Sequence, residues 1–205
     1  MAKKLMLVFV VAVFAKTGAF AQFPQVDFSA GGGIHLGPAV FVGDFSDAPT
    51  AFEFGFHGFF DATFVELGVG LGWQTFSEDW GGGNVRFTTL ALEFTLLGKF
   101  PFEMDDFGFG NVTVFPLAGL GFGIPLSHRM SWDGGSETIT GSDVQNPNMS
   151  LIFGAGADID LPVSGMFLRP SLLFNLNFAP FGDDYGSGLM SVGVPRFRIA
   201  AGFRF

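Results

Sequence analysis

Two groups of residues in this chain could carry out chemistry. The first is Ser127-His128-Arg129-Met130-Ser131 with Asp133 and Glu137 close behind, which brings a hydroxyl, a base and an acid into one stretch. Nucleophilic catalysis needs these three kinds of group. The spacing is not typical of any enzyme family, however, and hydroxyls and acids are common in exposed loops. We therefore interpret this segment as a solvated loop and predict that the chain is not an enzyme.

The second group consists of single charged residues that interrupt otherwise apolar segments. These are Glu53, Glu66, Glu93, Asp158, Arg169, Arg196 and Arg198. A charge that is removed from bulk water must be paired or hydrated. What these side chains do therefore depends on the elements that position them.

Glycines at alternate positions, Gly68-x-Gly70-x-Gly72 and Gly119-x-Gly121-x-Gly123, superficially resemble a dinucleotide-binding loop. That loop lies between a strand and a helix, and no helical period follows here. The acidic residues do not have the spacing of an EF-hand calcium-binding loop. We predict no cofactor and no metal site, and we interpret the glycines as packing positions inside a sheet.

The apolar residues alternate with polar or small ones nearly throughout, which indicates β-strands. About eight runs show this period, each near the ~9–11 residues that a tilted strand needs to cross a bilayer. They cover residues 26–40, 52–57, 65–74, 89–96, 112–123, 151–160, 168–178 and 196–205. The longer connections between them are predicted at 43–50, 77–84, 125–148 and 179–190, and the shorter ones at 61–63, 161–165 and 100–110.

The composition combines a mean hydropathy of +0.44 with only 14% charged residues. No apolar run after the N-terminal segment approaches the ~20 residues of a membrane-spanning helix. A closed β-barrel is the other structure that can cross a bilayer, because it pairs all its backbone groups between strands. The sequence therefore predicts an all-β protein: a single closed antiparallel transmembrane barrel of about eight strands in up-and-down order.

The N-terminal residues 1–21 have the layout of a cleaved signal peptide. Lys3 and Lys4 precede an apolar run, and Ala19-Phe20-Ala21 is a cleavage site of small residues. The barrel is then expected at 22–205. Loss of the three lysines in residues 1–21 changes the formal net charge from −9 to −12, which argues against a nucleic acid as partner. The chain has no cysteine, so neither a lipoprotein anchor nor a disulfide is expected.

A soluble barrel would turn its apolar face inward and expose many Lys and Glu residues. The polar face here is mostly Gly, Ser, Thr and Ala, which suits the narrow lumen of eight strands. The apolar face should therefore meet lipid and the seven charged residues should point into the lumen. There they could form ion pairs that close the barrel, the reading we favour, or line a pore. Bulky inward residues could fill the lumen or line a path for a hydrophobic molecule: Phe41, Phe115, Leu117, Ile152 and Leu173.

The last run places Phe197, Ile199, Ala201, Phe203 and Phe205 on one face. This resembles the C-terminal strand of bacterial outer-membrane barrels, and the chain is similar to small OmpA-, OmpX- and OmpW-like barrels. The resemblance implies an outer-membrane location, export through the inner membrane, and two partners: outer-membrane lipid and the barrel assembly machinery.

Three functions remain open. The first is an envelope-structural or surface-interaction role with a closed lumen and an extracellular ligand. The second is a narrow channel for small or hydrophobic solutes, and the third, which we favour least, is a lipid-modifying enzyme. Conductance separates the first two, and substitution of His128 tests the third.

Overall fold

The computed structural model describes residues 26–42, 51–80, 83–104, 111–140, 147–178 and 190–205. In this part of the chain no helix is long and apolar enough to cross a membrane. Ten strands occur in it: β1 (Phe28–Val42), β2 (Ala51–Ala62), β3 (Val65–Trp80), β4 (Gly83–Lys99), β5 (Phe102–Met104), β6 (Val112–Trp132), β7 (Gly135–Thr140), β8 (Asn148–Asp160), β9 (Met166–Phe178) and β10 (Met190–Arg204).

Eight of these strands form a closed antiparallel barrel. The ring runs β1, β2, β3, β4, β6, β8, β9 and β10, and β10 pairs with β1 to close it. The short strands β5 and β7 pair with the two ends of β6. The predicted fold, an up-and-down barrel of about eight strands, is confirmed. The predicted signal peptide at 1–21 lies outside the described residues.

The short connections define what we call the lower end of the barrel. β2 ends at Ala62 and β3 begins at Val65, with Thr63 at a positive φ of 39° between them. The connection at 161–165 closes through a hydrogen bond from the Leu161 amide to the Met166 carbonyl and ends at Gly165, whose φ is +78°. The sequence predicts Asp61 in a connection, but it lies in β2, where its side chain is buried.

Two of the four longer connections, which are predicted at the opposite, upper end of the barrel, are wrong. Residues 77–84 belong mostly to β3 and β4, and residues 125–148 contain the end of β6 and all of β7. Their polar composition suggested loops, but antiparallel pairing satisfies the backbone groups of polar residues as well as apolar ones. The segments 43–50 and 179–189 lie outside the described residues. The 100–110 connection holds β5, which pairs with β6.

The two faces of the strands follow the predicted alternation. Ile34, Phe56, Phe94 and Phe197 point outward with 40%, 52%, 42% and 54% of their surface exposed, whereas His35 between Ile34 and Leu36 is fully buried. Two apolar groups fill part of the interior. They are Leu97, Phe115, Leu117, Ile152 and Leu173, and Phe59, Phe167 and Ala200. The side chain of Phe41 is outside the described part.

Candidate functional site: the charged barrel interior

The charged side chains inside the barrel form two groups. The lower cluster, near the short connections, consists of Asp61, Glu66, Lys99, Asp158, Arg169 and Arg198. The upper cluster, farther from that end, consists of His35, Glu53, Glu93 and Arg196. Strand alternation explains the inward direction of each residue, because every second side chain of a barrel strand points into the lumen.

Arg169 on β9 is the centre of the lower cluster. Its Nε and Nη2 donate to the two carboxylate oxygens of Asp158 on the neighbouring strand, at 2.6 and 2.7 Å. Nη2 also donates to Asp61 Oδ2 at 2.7 Å, and Nη1 donates to Glu66 Oε2 at 2.9 Å. Such forked charge-assisted hydrogen bonds are the strongest that side chains make. One guanidinium therefore joins carboxylates from three strands.

The other two cations of the lower cluster complete its charge balance. Lys99 Nζ contacts Asp61 Oδ2, and Arg198 Nη1 lies 3.5 Å from Glu66 Oε1. The three carboxylates of this cluster therefore face three cationic side chains. A fully paired set is the condition under which charges can be buried at acceptable cost.

Aromatic rings cover the cations of the lower cluster. The Arg169 guanidinium carbon lies 4.4 Å from the ring centre of Phe59 and 5.0 Å from that of Phe167. Lys99 Nζ lies 4.8 Å from the ring centre of Phe115. These distances are in the range of cation–π attraction. The aromatic and apolar side chains thus shield the ion pairs from water.

Arg196 on β10 is the centre of the upper cluster. Nη1 donates to Glu93 Oε2 at 2.9 Å across the lumen, and Nη2 donates to Glu93 Oε1 at 3.1 Å and to Glu53 Oε1. His35 Nε2 lies 3.4 Å from that Glu53 oxygen. Two carboxylates share one guanidinium here, so the upper cluster lacks one positive charge unless His35 is protonated.

Water reaches the two clusters to different extents. The side chains of Glu53 and Glu93 are 14% and 20% exposed, whereas Glu66 and Arg169 are each 4% exposed. The upper cluster therefore borders solvent, and the lower cluster is closed. The closed level lies between the upper cluster and the short connections.

All seven charged residues singled out in the sequence lie in these two clusters. The structure adds Asp61, Lys99 and His35, which sequence reasoning did not assign to a site. The strand period could have indicated Lys99. It lies six residues after Glu93 on β4, an even number, and therefore on the same face of the strand. At the lower rim, Arg204 pairs with Asp160 and lies 3.7 Å from Asp158.

The segment Ser127–Ser131 is part of strand β6 and not a loop. His128 Nδ1 is 2.8 Å from Thr89 Oγ1, and Arg129 donates to Ser136 on β7. Among the described residues, these contacts do not connect His128 with Asp133 or Glu137. The arrangement of a catalytic base oriented by an acid is therefore not present there.

The last strand presents its predicted outward face. Phe197, Ile199 and Phe203 are 54%, 55% and 50% exposed, and Phe205 is 70% exposed. Ala201 is exposed between them. The inward side of the same strand carries Arg196, Arg198 and Ala200.

No protein-family model matches the sequence, and neither does any curated protein. Solved structures of small outer-membrane barrels are similar in fold. Ail, the attachment invasion locus protein of Yersinia pestis, in complex with sucrose octasulfate is 17% identical and covers 89% of this chain and 100% of its own, with a TM-score of 0.38. Neisserial surface protein A is 10% identical, with coverage of 87% and 95% and a TM-score of 0.45. The N-terminal barrel domain of Pseudomonas aeruginosa OprF is 16% identical, with coverage of 90% and 100% and a TM-score of 0.37.

Proposed function

We propose that this chain is a non-enzymatic integral protein of the bacterial outer membrane with an envelope-structural or surface-interaction role. The observation that carries the proposal is the reversal of polarity across the barrel wall. Large apolar side chains are exposed on the outside, and the charged side chains are buried inside as ion pairs. A protein folded in water would expose the charges and bury the apolar residues.

The height of the apolar surface supports this location. Outward apolar residues on and just after β4 extend from Leu90 to Phe100. The ten steps between them, at about 3.3 Å each, give about 33 Å along the strand, which the usual tilt of 35–45° would reduce to about the 25 Å apolar band of outer-membrane barrels. The exposed surface therefore has the height that a bilayer requires.

Outward aromatic rings mark two levels of this surface. At the lower end Phe28 stacks on Phe60 with ring centres 5.9 Å apart. Higher on the wall Phe54, Phe56 and Trp73 contact one another at 5.2 to 6.2 Å. We propose outer-membrane lipid as the partner of this surface, and the outward face of β10 as the signal for the assembly machinery.

The closed lower cluster supports a structural or surface role over transport. The partial exposure of Glu53 and Glu93 favours a second candidate, a narrow channel for small or hydrophobic solutes that enters at the upper end. Single-channel conductance of the refolded protein in planar bilayers distinguishes the two. Heat-modifiable gel mobility first verifies that the barrel has folded.

We expect no steady conductance from the folded barrel, because the ion pairs and aromatic rings of the lower cluster fill the lumen. Reproducible conductance would overturn the closed-lumen proposal and favour the channel. A lipid modification that the purified protein catalyses, and that His128→Ala abolishes, would overturn the non-enzymatic assignment.

A further inference from the structure

With His35 neutral, the upper cluster lacks one positive charge, whereas the lower cluster is balanced. The described residues of the lower cluster comprise three carboxylates and three cations, whereas Glu53 and Glu93 share the single guanidinium of Arg196. A buried carboxylate without a full counter-charge is costly. A cation held beside Glu53 and Glu93 would remove this imbalance.

The side chain of His35 lies beside Glu53 and Glu93. Its side chain is fully buried, and among the described residues neither ring nitrogen has a hydrogen-bond partner. Gly55 on β2 leaves the space for the ring, because a methyl group there would overlap Nε2 and Cε1. Buried polar groups in native proteins are nearly always hydrogen-bonded. An imidazole that is held in place without such a partner is free to act as a ligand.

We propose that His35, Glu53 and Glu93 bind a divalent transition-metal cation of the zinc type. One potential ligand atom from each residue lies within 4.8 Å of the other two. Binding of one ion by all three would require the two Glu side chains to rotate toward the His35 ring. One imidazole nitrogen and two carboxylate oxygens are ligands that Zn²⁺ accepts, and three protein ligands leave a position for water. Calcium and magnesium, which prefer oxygen ligands throughout, fit this set less well.

Arg196 can donate hydrogen bonds to the two carboxylates while they bind the ion. Its guanidinium donates to both carboxylates from the β10 wall, while His35 approaches Glu53 from β1. Each carboxylate has about four lone-pair sites, so it can accept from Arg196 and still bind a metal. Metal-binding carboxylates are commonly hydrogen-bonded in this way by a second shell of residues.

The two carboxylates are the water-accessible members of the proposed site. Glu53 and Glu93 retain 14% and 20% side-chain exposure, although His35 behind them is inaccessible.

The test titrates Zn²⁺ into the refolded full-length barrel in detergent, in competition with a chromophoric chelator. We expect one saturable site that Ca²⁺ and Mg²⁺ do not occupy. His35→Gln and Glu93→Gln should each weaken Zn²⁺ binding by at least about tenfold, since even second-shell changes cost this much. His128→Gln is the matched control, because His128 contacts Thr89 and lies outside the upper cluster. It should bind Zn²⁺ like the unmodified protein.

A second measurement keeps the test valid if a ligand variant does not fold. The chain has three histidines, so ¹⁵N spectra of histidine-labelled protein resolve each imidazole. Zn²⁺ should shift the ring nitrogens of His35, assigned with the His57→Gln and His128→Gln variants. The proposal is overturned if the folded barrel shows no saturable binding, if His35 does not shift, or if His35→Gln retains full affinity. None of these results would bear on the outer-membrane location.

Discussion

Arg169 Nη1 lies 2.9 Å from Glu66 Oε2, although the two residues belong to opposite walls of the barrel. β3 and β9 are four positions apart in the ring of eight strands, so this ion pair spans the lumen. The same guanidinium holds Asp61 and Asp158. Arg169 therefore ties three parts of the wall together.

Substitution of Arg169 by methionine should destabilise the barrel strongly. The change leaves Asp61, Glu66 and Asp158 buried with Lys99, Arg198 and the more distant Arg204 at the rim as counter-charges. Breaking a buried ion pair from one side costs about 3–5 kcal/mol. Urea unfolding of the refolded barrel, followed by tryptophan fluorescence or gel mobility, measures the free energy of unfolding. Arg86→Met is the control, because Arg86 is exposed on β4. Equal effects of the two substitutions would show that the lower cluster contributes no special stability.

The apolar part of the interior predicts a second difference in stability. Phe115 is 1% exposed, packs with Leu117 and Ile152, and lies beneath Lys99. Phe115→Ala should therefore cost about 3–5 kcal/mol, as in other close-packed interiors. Phe122→Ala, on the outward face of the same strand, should cost less because lipid or detergent fills the space. A larger loss at Phe122 than at Phe115 would contradict a packed lumen.

The face on which each residue lies could be predicted from the sequence, since a period of two places alternate side chains on opposite sides of a strand. Glu53, Arg169 and Arg198 could be assigned to the interior on this basis alone. The ion pairs that these residues form could not be predicted from the sequence. Which strands face each other across the lumen depends on the strand number and the stagger of the closed barrel, and neither is a local property of the sequence.

The missed residues show the same limit. Asp61 is only one residue before the end of β2, and its polarity and its position before the turn suggested a connection. Its burial follows from Lys99 and Arg169, which come from other strands and meet it only after closure. His35 stood on the polar face, but nothing near it in sequence indicated that Glu53 and Glu93 would lie beside it.

Double-mutant cycles should rank the two cross-lumen ion pairs. The cycle Glu66→Gln with Arg169→Met removes a pair that is 4% exposed on both sides, whereas Glu93→Gln with Arg196→Met removes one that borders water. Contacting charges couple by about 0.5–3 kcal/mol. We expect a larger coupling energy for the Glu66–Arg169 pair, because water screens the upper pair. Coupling energies in the reverse order would contradict the difference in water access.

An arginine on the outside of the wall tests the membrane location directly. Phe94 lies in the apolar surface of β4, between Val69 and Phe122, and Phe100 lies just beyond the end of the strand with 66% of its surface exposed. In phospholipid vesicles, Phe94→Arg should lower the free energy of unfolding by about 2–4 kcal/mol, as for arginine near the bilayer midplane. Phe100→Arg should change it by about 0–1 kcal/mol, as at the interface. Because the substitution is the same, the difference between the two variants measures depth in the bilayer. If Phe94→Arg were tolerated as well as Phe100→Arg, the outward face would be in contact with water, and the proposed outer-membrane location would be wrong.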